Sequence, residues 1–102
     1  MVYKTYLIKD NKNKLLKEIE GINDYRYWDF YDEFTEKYAL KKIFKGNYEE
    51  ISSFDFEGIF LKINGAKNPF VLLVGPNKDT LDNTIMKIEH DFDGKFKFEE
   101  ER

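Results

Sequence analysis

DYRYWDFYDEF, residues 24–34, holds six aromatic and four acidic side chains in eleven positions, and whether it coils or extends decides the fold. At about 100° per residue, Tyr27, Phe30, Tyr31, Phe34 and Tyr38 fall on one side of a helix. Asp29, Asp32, Glu33 and Glu36 follow the same spacing on the opposite side. Read as a strand, these residues give no two-residue alternation, so the spacing predicts a helix from about Trp28 to Leu40. Asn23, Asp24 and Asp29 each have the short polar side chain that caps a helix N-terminus. The aromatic stripe then belongs to the core and the acidic stripe to the surface.

Working outward, Val2 to Lys9 alternates as a first strand, with Val2, Tyr6 and Ile8 on one face and Tyr3, Thr5 and Leu7 on the other. After the polar turn at residues 10–13, Leu15, Leu16, Ile19 and Ile22 stand at helical spacing. They predict a short helix ended by Gly21, which tolerates the left-handed conformation of a helix C-terminus. Beyond residue 40, Ile43-Phe44 and Ile51 to Phe56 read as strands separated at Gly46-Asn47. A bulge is expected near Glu57-Gly58, and Ile59 to Ile63 is a further strand before the turn signal Asn64-Gly65. Phe70 to Val74, FVLLV, is apolar on both faces, the mark of a central, deeply buried strand. A second long helix is predicted from Asp79 or Thr80 to Asp91, with Leu81, Ile85, Ile88 and Phe92 inward. Asp93-Gly94 then leads into a last strand with Phe96 and Phe98 on one face. The fold expected is a single α+β domain over residues 1–102. Its mostly antiparallel sheet has four or five strands and about three helices, in the order β-α-α-β-β-β-α-β. The final strand–helix–strand unit is able to close as a right-handed parallel crossover.

Composition narrows the function. The chain has 102 residues, 17 basic and 20 acidic, for a net charge of −3. A nucleic-acid binder needs a basic excess to neutralise phosphates, so nucleic acid is not expected as a partner. Charge is uneven: residues 21–40 and 69–102 each carry −3, against +2 for 1–20 and +1 for 41–68. There is no Cys, which removes thiolate chemistry and suits a reducing cytoplasm. No stretch reaches the roughly 18 apolar residues of a membrane helix, and the start of the chain lacks a signal-peptide pattern. The frequent Lys, Asn, Ile, Phe and Tyr suit an AT-rich bacterial or phage genome.

No catalytic constellation is visible. His90, the only histidine, lies between Glu89 and Asp91 in the last turn of a predicted helix, where the helix dipole alone favours it. Ser52-Ser53 has no glycine elbow around it. One His and no Cys leave no zinc set, so no metal, cofactor or catalytic residue is expected. The turn VGPNKDT, residues 74–80, joins a strand to a helix N-terminus, where free amides favour an anion. Gly75, Asn77, Lys78 and Thr80 are its candidate ligand-binding residues, although it lacks the phosphate-loop pattern.

The acidic stripe remains. Four carboxylates within two turns repel one another by tenths of a kcal/mol per pair, and a basic partner surface would relieve that cost. Tyr25, Tyr27 and Trp28 beside it are the residue types that anchor interfaces. Tyr25, Tyr27, Trp28, Asp29, Asp32, Glu33 and Glu36 form the candidate partner-binding set. The expectation is a small non-enzymatic inhibitor that acts as a monomer or homodimer on a basic protein target, of toxin-immunity or phage anti-defence type. The order of elements loosely resembles that of the barstar ribonuclease inhibitors, with their acidic helix and nearby aromatics. That likeness is architectural, covers about half the chain and rests on no motif. The alternatives are a nucleotide or small-ligand module using the 75–80 turn, or a structural, oligomer-forming subunit.

Overall fold

The computed structural model describes residues 1–40, 42–45, 51–65 and 67–101. Strand β1 (Val2–Asp10) is followed by a small hairpin, β2 (Glu18–Ile19) and β3 (Ile22–Asn23), and by helix α1 (Tyr25–Lys37). A meander of four strands comes next: β4 (Lys42–Lys45), β5 (Ile51–Phe56), β6 (Ile59–Asn64) and β7 (Phe70–Gly75). Helix α2 (Lys78–Asp91) and strand β8 (Phe96–Glu100) close the chain. Six strands form one sheet in the order β4-β5-β6-β7-β1-β8, with every neighbouring pair antiparallel. Strands β7 and β8 both pair with β1, so they run parallel to each other with β1 inserted between them. The α+β class and the antiparallel sheet match the expectation. Among the described residues the counts differ: six strands instead of four or five in the main sheet, and two helices instead of about three.

The missing helix is the hairpin. Leu16 bonds back to β1 through its amide and the Ile8 carbonyl, at 2.9 Å, and Leu15 bridges to Lys9. The chain here runs back along β1 and then forms two short strands, with Ile19 facing Ile22 across β2–β3. Glu20 and Gly21 have φ of 51° and 78°, the two left-handed residues of a type I′ turn, whose twist fits a tight hairpin. Glu57 and Gly58 repeat this at 49° and 77° between Phe56 and Ile59. The expected bulge there is a two-residue hairpin turn.

Helix α1 begins three residues earlier than the spacing predicts. Asp24 is its cap, accepting from the Arg26 amide at 2.9 Å. Both helices end the same way. The Leu40 amide reaches the Thr35 carbonyl and the Ala39 amide that of Glu36, while Gly94 reaches Glu89 and Asp93 reaches His90. This paired closure places Ala39 (φ 48°) and Asp93 (φ 53°) in the left-handed region.

Tyr6, Ile8, Phe56, Leu61, Ile63, Val71, Leu73 and Phe96 on one face of the sheet join Tyr27, Phe30, Phe34, Leu81, Ile85 and Ile88 of the helices in a single core. Rings dominate it. Phe30 meets Phe96 edge-on at 5.2 Å, and Phe34 stacks on Phe92 at 6.2 Å. Gly65 lies against Tyr27: a Cβ there would come within 2.4 Å of its ring. FVLLV is central, as expected, but only Val71 and Leu73 of its side chains enter this core. Phe70, Leu72 and Val74 turn to the face opposite the core and are half-buried.

Candidate functional site

The aromatic side of α1 is core: Tyr27, Phe30 and Phe34 are fully buried and Tyr31 nearly so. Tyr27 therefore leaves the set of candidate anchors, because its ring is spent on Gly65 and the interior. Trp28 is half-buried, its ring edge-on to Tyr27 at 5.1 Å and to Tyr31 at 5.8 Å. Tyr25 is the exception in the opposite sense. As the first residue of the helix it is 88% exposed.

The outward line of α1 is Tyr25, Asp29, Asp32 and Glu36, spaced i, i+4, i+7, i+11, and all four are exposed. At that spacing they stand one above another along the helix. No described basic side chain pairs with these three carboxylates. Glu33 does not share that condition. Lys95, on the approach to β8, forms an ion pair with it, so part of the expected repulsion is balanced within the fold. Lys95 also lines, with Glu33, Glu36, Lys37 and Asp91, a shallow open depression between the two helices.

At the N-terminal end of this line the β2–β3 hairpin adds apolar surface. Ile19 and Ile22 are 56% and 72% exposed, and with Glu20, Asp24 and Tyr25 they border a depression of about 250 Å³. Sequence spacing assigned both isoleucines to a helix and so missed them as surface. The signal that marks them is the repeated pattern of apolar residue, Glu-Gly, apolar residue at 19–22 and 56–59.

A charged clamp fixes this end of α1. Arg26 pairs with Asp24 and Asp10 and donates to the Leu15 carbonyl at 3.2 Å. The Arg26 hydrogen bonds hold the Asp24 carboxyl below the usual carboxylate range, against the opposing effect of burial. The Lys14 amide first, and Arg26 next, do the same for Asp10. Two further clusters tie α2 down. Asp82 accepts from Lys4 at 2.7 Å and from the Tyr6 hydroxyl at 3.1 Å, and Asp91 accepts from the Tyr38 hydroxyl at 2.7 Å. Lys4 lowers the Asp82 carboxyl and Tyr38 lowers that of Asp91. Burial is the main cause that raises the Tyr6 and Tyr38 hydroxyls well above their ordinary range, so both stay protonated donors. These clusters are joints between elements of the fold.

The 75–80 turn is internally satisfied. Asn77, rather than Asp79 or Thr80, caps α2, and its side-chain oxygen accepts from both the Thr80 amide at 2.8 Å and the Thr80 hydroxyl at 2.9 Å. Gly75 is buried, and a Cβ there would meet Leu81 at 2.9 Å. Lys78 is exposed but no second basic residue accompanies it in the turn. His90 is exposed on the last turn of α2. Among the described residues no group of three or more His, Cys, Asp or Glu is placed to hold a metal ion, and no helix is long and apolar enough to cross a membrane.

No model of a known protein family matches the chain, and neither the curated proteins nor the solved structures contain a significant match to it.

Proposed function

We propose that this chain is a small protein-binding inhibitor, of the kind that blocks a toxin or a host-defence protein, and that it engages a basic patch on its target through the outward line of α1. The observation that carries this reading is the continuous run of Tyr25, Asp29, Asp32 and Glu36 beside the exposed pair Ile19 and Ile22. An exposed aromatic and two exposed branched side chains supply area that leaves water on contact. Three carboxylates without described partners supply steering toward positive charge and selectivity against negative charge. Glu33 and Trp28 flank this line, and Tyr27 supports it from beneath.

The test uses charge reversal. Asp29→Lys with Asp32→Lys alters only exposed side chains, so the stability of the free protein should move by less than about 0.5 kcal/mol. Pull-downs from the source cell with the original chain and with the variant identify what depends on the stripe, and the affinity for that protein is then measured. Binding is expected to weaken by about a hundredfold or more in the variant, and to weaken with salt in the original chain. Equal affinity of the two chains for the same protein removes the α1 stripe from the account.

A further inference from the structure

The sheet has a second face, and nothing described covers it. The core collects one set of alternating side chains from β1, β6 and β7. The other set is Tyr3, Thr5 and Leu7 of β1, Phe60, Lys62 and Asn64 of β6, and Phe70, Leu72 and Val74 of β7. An antiparallel sheet with a solvated face shows polar side chains there. Here the pairing register places Phe60, Val74 and Tyr3 in one row across three strands, with Phe70 beside Leu7 two rows away and Leu72 between. Tyr3 is 71% exposed and Phe60 39%.

We propose that this face is where a second copy of the chain docks, sheet against sheet, across a two-fold axis. Charge argues for a copy over a strongly charged partner. Glu101, beside Leu7, and the half-buried Lys62 have no described ion-pair partner on this face, and neither do the exposed Asp55 on β5, in the row of Phe60, and the exposed Lys97 on β8, in the row of Lys9. Asp55 and Lys97 stand at opposite corners, and the midpoint of the diagonal between them falls on β7, between Phe70 and Leu72. A two-fold axis through that point and perpendicular to the diagonal sets each Asp55 against the Lys97 of the other copy. It also crosses the strands of the two copies at near right angles, one of the two ways in which sheets pack face to face. A two-fold interface must be complementary to itself, and this pairing of corners meets that condition without a net charge.

Area sets the strength. Six strands about 4.8 Å apart and about 20 Å long give a flat face on the order of 600 Å². This lies below the roughly 800 Å² per partner of a standard stable interface. The dimer is accordingly of the weak, reversible class and dissociates on dilution. It leaves Tyr25, Ile19 and the outward line of α1 free, and it stands or falls independently of the inhibitor reading.

Sedimentation equilibrium of the full chain, over concentrations from about 1 to 500 µM, is the test. The expected result is a reversible monomer–dimer equilibrium that Leu72→Lys shifts to monomer throughout, with an unchanged far-ultraviolet circular dichroism spectrum. Asp55→Lys should weaken the dimer about tenfold, and adding Lys97→Asp to it should restore the original strength. These two positions are exposed, so the exchange remains informative if Leu72→Lys does not fold. A chain that stays monomeric at every concentration overturns the proposal. So does a dimer indifferent to Leu72→Lys and Asp55→Lys, or an exchange that fails to restore pairing.

Discussion

Gly65 shows how much a missing side chain can decide. Its place after Asn64 reads in the sequence as a turn signal, yet the structural demand comes from Tyr27, whose ring occupies the volume that a Cβ would need. Tyr27 is wholly buried, so the ring cannot swing into water. Gly65→Ala is expected to destabilise the fold by about 1–3 kcal/mol, the usual cost of forcing extra volume into a packed interior, measured as a lowered urea midpoint. An unchanged midpoint would mean that the ring yields easily and the contact is incidental. Trp28 sits against Tyr27 and is the only tryptophan, so its fluorescence reports the same event. Composition and spacing identified the inward rings of α1 correctly. They could not distinguish a glycine that turns the chain from one that makes room for a distant ring, because the second depends on a partner 38 positions away.

At the scale of elements, the outcome followed how many residues shared one period. Strand β7 is marked by its unbroken apolar run, and helix α2 and the strands β1 and β6 repeat their pattern long enough for the period to be unambiguous. Leu15, Leu16, Ile19 and Ile22 do not, and four apolar residues fit a helical stripe by chance as readily as they fit a hairpin. What settled the matter was the turn: Glu20-Gly21 takes two left-handed residues, a demand no helix interior makes. Helix α1 shows a related effect at its ends. Its beginning follows Asp24 and the Arg26 clamp instead of the ring spacing, and its end follows Ala39. Alanine in the left-handed region is strained by about 1 kcal/mol, and glycine there is not. Ala39→Gly is therefore expected to raise stability by roughly 0.5 kcal/mol, net of the greater freedom that glycine gives the unfolded chain. Thermal unfolding checks this, and a lowered melting temperature would show that the Ala39 methyl contributes packing that outweighs the strain.

For the molecule as a whole, the joints between its elements share one chemistry. Asp24 and Asp10 bind Arg26 where α1 meets β1, Asp82 binds Lys4 and Tyr6 where α2 crosses β1, and Asp91 binds Tyr38 where the two helices meet. All four carboxyls are held below their ordinary value, by Arg26 foremost at Asp24, the Lys14 amide at Asp10, Lys4 at Asp82 and Tyr38 at Asp91. A group whose folded value is depressed adds stability above its unfolded value, and that stability is lost as pH falls through the folded one. The urea midpoint should thus be level near neutrality and fall steadily below about pH 4. Asp24→Asn should be less stable near neutrality and show a shallower fall. A midpoint independent of pH in the acid range would show that these contacts add nothing to folding. Asp24 was legible as a cap candidate, but the links of Arg26 to Asp10, of Asp82 to Lys4 and Tyr6 and of Asp91 to Tyr38 were not, since each joins residues whose proximity only the topology creates. The acidic line of α1 was legible because a single helix brings it together.

The insertion of β1 between β7 and β8 has a consequence for how the protein is made. Strand β1 is paired along its length with residues 70–75 and 96–100, so it is made well before either neighbour and waits for both. Until then the nascent segment exposes Tyr6 and Ile8 along two open edges, a form prone to pairing with the wrong strand. With β1 and β8 paired across about ninety residues of sequence, the sheet is expected to assemble slowly for a domain of this size, and only once β8 has been made.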